Sequence, residues 1–563
     1  MERRLLLVFG LTFLVILLSQ SLFRKYLPQP PATTQQAPIQ APPVASANPA
    51  AMPPQTAVPL PAGGGKEASA ESESVAENEV YRITFTNRGG QVKSWVLKKY
   101  FDDQGRPLEL VNGATAEKFG YPLSLWTYDE TQRNKLNSAL YVASSSGPLN
   151  APAEITFEYA DPDVAVHKTF RFDQSYVVGV EVSATAKGSP VTAFPMWPAG
   201  FGDQSTPASY ASGRIDYQFD SDTERLAIKK ISGGNTIKGP LDWAGVVDQY
   251  FAAVFVPDDP QNAALVTLHN PIENPQDPKH PYSVLGAAVG KLKGASTGHL
   301  YVGPKSLAVL ESVTVPTING APRDLRALVN FGFWGWIARP LFLWLRWTYE
   351  KVVGNWGWAI VLQTLIINLA LLPLRITGMK SALKMQKIQP QMKAIQEKYK
   401  KYGMRDPRRQ DMNKEIWELQ QREGVNMWGG CLPMLIQMPF LIAYYSMLGA
   451  AIDLRQAHWL WIHDLSSPEP STIRILPILI VIAMVLMQRM TPQAGMDPAQ
   501  QRMMNVMMPV MFGFLSWNVA SGLGLYWLES NVIGIVQQAI MNRTRLGREM
   551  RELALKRARK KDK

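Results

Sequence analysis

The chain has 563 residues, enough for several domains, with 58 Lys and Arg against 46 Asp and Glu and a formal net charge of +12. Its mean hydropathy of −0.09 averages over segregated apolar runs, a soluble block and basic ends. One cysteine, Cys431, excludes an internal disulfide framework. No Walker A, HExxH or CxxC spacing points to nucleotide hydrolysis or to a metal, so no cofactor and no enzymatic activity are expected.

Residues 1–27 contain the apolar run Leu5–Phe23, long enough to span a bilayer and flanked by Arg3, Arg4, Arg24 and Lys25. A cleaved signal peptide is the alternative, but no small-residue pattern closes the run, so a retained anchor is preferred. Residues 28–79, rich in Pro, Ala, Gln, Ser and Gly, read as a flexible tether. From 80 to 320 the texture changes to short β-branched and aromatic segments such as "VYRITFTNRGG", "AEITFEYA", "VAVHKTFRF" and "YVVGVEVSA". They are punctuated by Asn87-Arg88-Gly89-Gly90, Asp161-Pro162-Asp163 and Asp173-Gln174-Ser175, which predicts a large β-sandwich. Sandwich architecture alone does not support a sugar-processing role.

Over 330–352, Arg339, Arg346 and Glu350 share one helical face within a Trp-rich apolar helix, the pattern of a helix lying in a membrane interface, with Pro340 in its first turn. Packing of this helix on the β domain is the alternative. Five further apolar segments follow, at 353–374, 428–449, 473–488, 504–520 and 522–541, so the expectation is six spans in all. The region 375–427 and the tail 542–563 are strongly basic, whereas the loop 450–472 is not. The positive-inside rule then puts both chain ends, 375–427 and the short loop 489–503 in the cytoplasm, and the β domain and 450–472 outside.

The basic region carries two amphipathic helices that stop near Gly403 and Gly424, an antiparallel hairpin whose candidate contact residues are Lys384, Lys387, Lys393, Lys398, Arg408 and Arg409. A solvated topogenic loop is the plainer reading, and charge alone would permit RNA contact but gives no reason to expect DNA. Within the spans, Thr364 and Asn368 share a face while Gln363 points elsewhere; Gln437 and Tyr444 share another. Tyr526, Ser530 and Gly534 repeat every four residues, and Glu529 is an acid at span depth. Hydrogen bonding between helices is the plainer alternative for all of them. Methionines crowd the inner ends of the fourth and fifth spans, among them Met484, Met487, Met507 and Met511, which suits either core filling or a surface that accepts varied apolar chains.

The segments "VGNWGWAIVLQTLIINLALLPL", "GGCLPMLIQMPFLIAYYSML", "LRQAHWLWIHDLS", "DPAQQRMMNVMMPVMFGF" and "SGLGLYWLESNVIGIVQQ" resemble successive motifs of the YidC/Oxa family of membrane protein insertases, over roughly residues 350–545. The anchor, tether and β domain resemble its Gram-negative branch. The resemblance implies a polytopic α-helical membrane protein with a five-helix insertase core, and a periplasmic β-super-sandwich. It also implies a hydrophilic groove open to cytoplasm and lipid but closed outside. It further implies a chaperone of the cell inner membrane acting on nascent membrane proteins with the ribosome, the Sec translocon and membrane lipids as partners, functional as a monomer. The family's groove arginine would fall four residues after Thr364 and five before Pro373, where this chain has Asn368. Arg375 lies beyond Pro373, near the expected membrane edge, and is not an evident substitute. Glu529 also departs from a position that is usually apolar. A groove lined by Thr364, Asn368, Gln437, Tyr444, Tyr526, Glu529 and Ser530 is therefore expected to act by polarity. The alternative is a transporter with an intramembrane polar site at Asn368 and Glu529, or a glycan-binding module on an anchor.

Overall fold

The computed structural model describes residues 65–203, 213–220, 222–226, 228–273, 281–316, 322–400, 402, 406–424, 432–470, 473–490, 498–545, 547–549 and 552; the side chains at 379, 382, 386, 409, 432–437 and 498–504 are not described. The expected anchor, most of the tether and Cys431 lie outside these residues, as do the side chains of Gln437 and Arg409. The chain divides into two compact units.

One unit comprises Ala62–Asn330 together with Leu448–Arg455. It is all-β, with one ten-stranded and two five-stranded sheets. The punctuating residues join consecutive antiparallel strands. Asn87–Gly90 links β1 (Tyr81–Thr86) to β2 (Gln91–Phe101). Asp161–Asp163 links β3 (Ala153–Ala160) to β4 (Val164–Phe172), and Asp173–Ser175 links β4 to β5 (Val177–Ala186). The large sheet continues from β5 to β7 (Ser296–Pro304) and on to β6 (Phe251–Pro257). Asp161 shows why its turn is fixed. Burial raises its carboxyl, but Lys135, the Asp163 and Val164 N–H groups and the Tyr159 hydroxyl outweigh that and hold it at about 2.

Two boundaries differ from expectation. The strand Glu73–Glu77, with Ser74 and Ala76 buried, already belongs to the sheet, so the tether is shorter than 28–79. At the other end Leu325 and Leu328 still belong to the core. The segment Leu448–Arg455 also joins this unit. Ile452 enters its core, Leu454 is buried, and Arg455 donates to Asp203 at 2.8 Å while lying over the Phe251 ring.

The other unit, from Phe331 to Met447 and from Gln456 onward, is helical: α1 (Gly335–Thr348), α2 (Trp356–Ala370), α3 (Leu372–Lys398), α4 (Arg408–Arg422), α5 (Leu432–Ala450), α6 (Ile475–Met490), α7 (Pro498–Trp517) and α8 (Ser521–Arg543). Pro340 sits inside α1, whose first residue is Gly335, and not in its first turn. Arg346 and Glu350 pair at 2.7 Å on the shared face. A π-turn at Tyr349–Val353 and left-handed Gly354 end this segment, Tyr349 stacks on Trp356, and Asn355 caps α2. The expected second span is broken. α2 stops at Ala370, and α3 starts at Leu372 with Pro373 in its first turn, where a missing N–H is tolerated. Among the described residues no single helix is long and apolar enough to cross a membrane, while the bent pair Gly335–Val353 and Trp356–Ala370, at 114°, is so together.

One core position in β4 breaks the apolar alternation. Val164, Val166, Phe170 and Phe172 face inward, and so does Lys168, which is fully buried. Its ammonium donates to the carbonyls of Gly89 at 2.6 Å, Gly90 at 3.2 Å and Leu123 at 2.8 Å, all three residues with positive φ. Three protons meet three acceptors that no water could reach. Burial nevertheless pushes the Lys168 ammonium down to about 7. The folded chain therefore binds fewer protons than the unfolded chain from about pH 7 to 10.5, and stability rises with pH there. Lys168→Met is expected to destabilise the β domain by stranding these carbonyls. Its deficit relative to the native residue should widen between pH 7 and 9.5, on the order of 3 kcal/mol. Amide exchange at Gly89, Gly90 and Leu123 in the full chain measures it; an unchanged or shrinking deficit would show that Lys168 does not hold these turns.

Candidate functional site

In the helical unit the usual distribution of side chains is reversed. The outward faces carry Leu365, Ile366 and Leu369 on α2, Ile478, Ile482 and Leu486 on α6, Val510 and Phe514 on α7, and Val532, Val536 and Ile540 on α8, all exposed. The buried faces carry Gln363, Thr364, Asn368, Ser516, Ser521 and Gln538. α8 lies against both α6 and α2, so the polar face of α2 meets the small-residue face of α8.

Each polar group there has a specific place. Gln363 donates to the Leu341 carbonyl at 2.9 Å and accepts from the Tyr444 hydroxyl at 2.8 Å, tying α1, α2 and α5 together. Tyr444 in turn stacks on Tyr526 of α8 at 4.4 Å. Gln363, set apart from the Thr364 face in the sequence, is thus the bracket between helices. The Thr364 hydroxyl donates to the Ile360 carbonyl of its own helix at 2.7 Å. Asn368 donates to the Thr364 carbonyl at 2.9 Å, and Asn531 likewise bonds back to Trp527. Neither amide bonds across helices through its N–H group.

Asn368 is 2 % exposed, so it does not itself border open space. Its side-chain oxygen instead accepts from Arg375 at 3.1 Å, and the other terminal nitrogen of Arg375 donates to Gln537 of α8 at 2.7 Å. The guanidinium lies over Gly534, 3.3 Å from where a Cβ would stand. Arg375 is therefore drawn back into the bundle, correcting the expectation that it stays at the membrane edge. The sequence signal was available: Asn368 and Arg375 are seven residues apart, hence on one face two turns apart, and a long side chain can bridge that gap. Only two of its five N–H groups are engaged by Asn368 and Gln537, and no carboxylate among the described residues pairs with it. Glu529 and Ser530 lie on α8 nearer its loop end, each with a buried oxygen lacking a partner.

The loop end is closed by the chain from Gln456 to Glu469. Asn355 donates to the His458 carbonyl at 3.0 Å, Gly522 to Leu465 and Ser521 to Ser467. The buried carboxylate of Glu469 accepts from the Trp461 indole at 2.8 Å and from the Leu476 N–H at 2.9 Å, at the first turn of α6. Trp459 packs on Gly357 of α2, where a Cβ would overlap the indole. The opposite end carries the hairpin. Lys398 and Tyr399 both bond Glu415, at 2.7 and 2.8 Å, so α3 and α4 are joined, and these bonds, Lys398 first, hold Glu415 below the usual carboxylate range. Lys384 bonds the Gly424 carbonyl, Lys387 pairs with Glu549 and Arg408 with Asp406, while Lys393 is exposed. Among the described residues no cluster of three or more His, Cys, Asp or Glu offers a metal site.

Residues 347–548 match the family described as 60Kd inner membrane protein, and residues 74–344 match the YidC periplasmic domain. The chain is 32 % identical over 499 residues to a membrane protein insertase YidC of Geobacter sulfurreducens, covering 83 % of this chain and 86 % of that protein. It is 30 % identical over 574 residues to the one of Syntrophus aciditrophicus, covering 96 % and 100 %. The chain belongs to the YidC family of membrane protein insertases. An active YidC insertase crystal structure with the first transmembrane domain resolved is 20 % identical, with a TM-score of 0.35 over 85 % of this chain and 94 % of that one. Membership sets aside the transporter and the glycan-binding module. It gives an inner membrane insertase with a large all-β periplasmic domain and a helical C-terminal region.

The loop closure is open to test. Gly357→Ala forces the Trp459 indole off α2 and should destabilise the insertase by about 1–3 kcal/mol. In a Trp459→Ala background most of that penalty should vanish. Thermal unfolding of the four proteins in detergent measures the coupling; additive penalties would show that the loop does not rest on Gly357.

Proposed function

We propose that the polar interior between α2, α5 and α8 is the entry of an intramembrane groove, and that Arg375, presented by Asn368 and Gln537, is its cationic anchor. The supporting observation is the guanidinium held inside a bundle with an apolar exterior, with donors to spare. A polar tail of a nascent membrane protein meets the basic α3–α4 hairpin, docks an acidic group on Arg375, and so crosses a shortened hydrocarbon barrier. The client's apolar segment then passes into lipid along the exposed faces of α2, α6 and α8, driven by about 25 cal/mol per Å² of apolar surface removed from water. Thr364, Tyr444, Tyr526 and Ser530 line the deeper part, and the Gln456–Glu469 loop closes it. Six spans, cytoplasmic ends and hairpin, monomeric action, and partnership with the ribosome and the Sec translocon complete the reading; they rest on charge distribution and family resemblance.

Arg375→Gln should slow insertion of a small acidic-tailed client into proteoliposomes about tenfold, the range of one hydrogen bond to a charged group. Arg375→Lys should retain part of the rate. Asn368→Arg alone sets two cations side by side and should impair the protein, whereas the exchange Asn368→Arg with Arg375→Asn should restore insertion. Native rates for Arg375→Gln would remove Arg375 from the mechanism.

The orientation is tested with single cysteines in a Cys431→Ser background. The exposed positions Gln104 and Lys400 should label from opposite faces of the membrane. Labelling from one face would overturn the topology.

A further inference from the structure

Glu529 is the residue that this site has not absorbed. One of its carboxylate oxygens is buried with no hydrogen-bond partner, and the neighbouring Ser530 hydroxyl is in the same condition. The Thr364 hydroxyl is within hydrogen-bonding reach of its carboxylate, and the Tyr444 hydroxyl is close enough to feel its charge. Each has a single proton and a short acceptor elsewhere, the Ile360 carbonyl at 2.7 Å for Thr364 and Gln363 at 2.8 Å for Tyr444. One carboxylate oxygen is thus left buried without a donor, an expensive arrangement at span depth unless a donor arrives from outside. Arg375 does not supply it: its guanidinium is held between Asn368 and Gln537 and lies over Gly534, more than one turn further along α8.

We propose that Glu529, with Ser530, is a second client-binding subsite that accepts a cationic group of the translocating chain, a lysine, an arginine or a terminal amine. The inference rests on the groove reading above. It makes the lining dipolar, with a cation near the hairpin and an acid more than one helical turn deeper. A client tail of either sign finds a complementary group, and a tail carrying both is held in register. Glu529 is then a specificity-determining residue that acts by contact with the client.

The test uses the full chain in proteoliposomes and one single-span client in two forms, with a translocated tail bearing lysines or glutamates. Glu529→Gln keeps the shape and removes the charge. The ratio of lysine-tailed to glutamate-tailed insertion should fall about tenfold in Glu529→Gln and rise in Arg375→Gln. A cysteine replacing Glu529 should also cross-link to a cysteine beside the client's lysines in a stalled intermediate. A ratio unchanged in Glu529→Gln, with Arg375→Gln still shifting it, would overturn this inference alone. If neither variant moved the ratio, the groove reading would fail with it.

Discussion

Inside the helical unit a buried polar side chain is costly unless another group of the bundle answers it, and the outward faces are apolar. That constraint orders the helices. Gln363 cannot be buried between α1, α2 and α5 unless both halves of its amide are engaged, and the Leu341 carbonyl and the Tyr444 hydroxyl engage them. Tyr444 then fixes Tyr526 by stacking, and so the angle at which α8 meets α5. The same requirement draws Arg375 inward, since Asn368 and Gln537 each offer an oxygen that nothing else takes. Two kinds of polar group are therefore separated along α2. Gln363 is closed on itself by its neighbours, while the Asn368 level ends in a cation with unused donors.

The two ends of the bundle differ in kind. At the loop end, backbone and side-chain bonds from the Gln456–Glu469 segment reach the first turns of α2, α6 and α8. At the hairpin end the contacts are exposed ion pairs such as Lys398–Glu415 and Lys387–Glu549, individually weak and screened by salt. The connection from α5 adds a mechanical point. Ile452 joins the core of the β unit, Leu454 is buried, and Arg455 is paired there. Deleting the β domain would leave these side chains without cover, so a loss of activity on such a deletion would not by itself assign the domain a part in insertion.

Much of this was legible in the residues. Period-two segments and Asn/Asp/Gly punctuation gave the β1–β5 hairpins because turn chemistry is local. The tether's end was misjudged because Glu73–Glu77 has a single β-branched residue and is held by pairing with β1, a tertiary cause. Lys168 could have been found by carrying the alternation of "VAVHKTFRF" through, which puts the lysine inward; its three carbonyl partners, from distant turns, could not. At the site, helical spacing separated Gln363 from the Thr364–Asn368 face. What it did not reveal was that Gln363, set apart from that face, is the bracket, nor that Arg375 turns back.

The case of Arg375 shows what a span boundary drawn from hydropathy leaves out. Pro373 ends the apolar count, and a cation beyond it is assigned to the interface. Yet the break at Leu371 lets α3 start without an N–H from Pro373, and α3 continues with its early residues close to the face of α2. Gly534 removes the side chain that would otherwise occupy the space of the guanidinium, and Gln537 one turn on provides its second acceptor. A lysine at 375 would bring a single ammonium, which cannot present two separated nitrogens to Asn368 and Gln537 while leaving a third free. The fork of an arginine can. Moving the charge one helical break away from the position where the family resemblance places it thus requires three coordinated features, an oxygen at 368, a glycine at 534 and an amide at 537. All three are present in this chain.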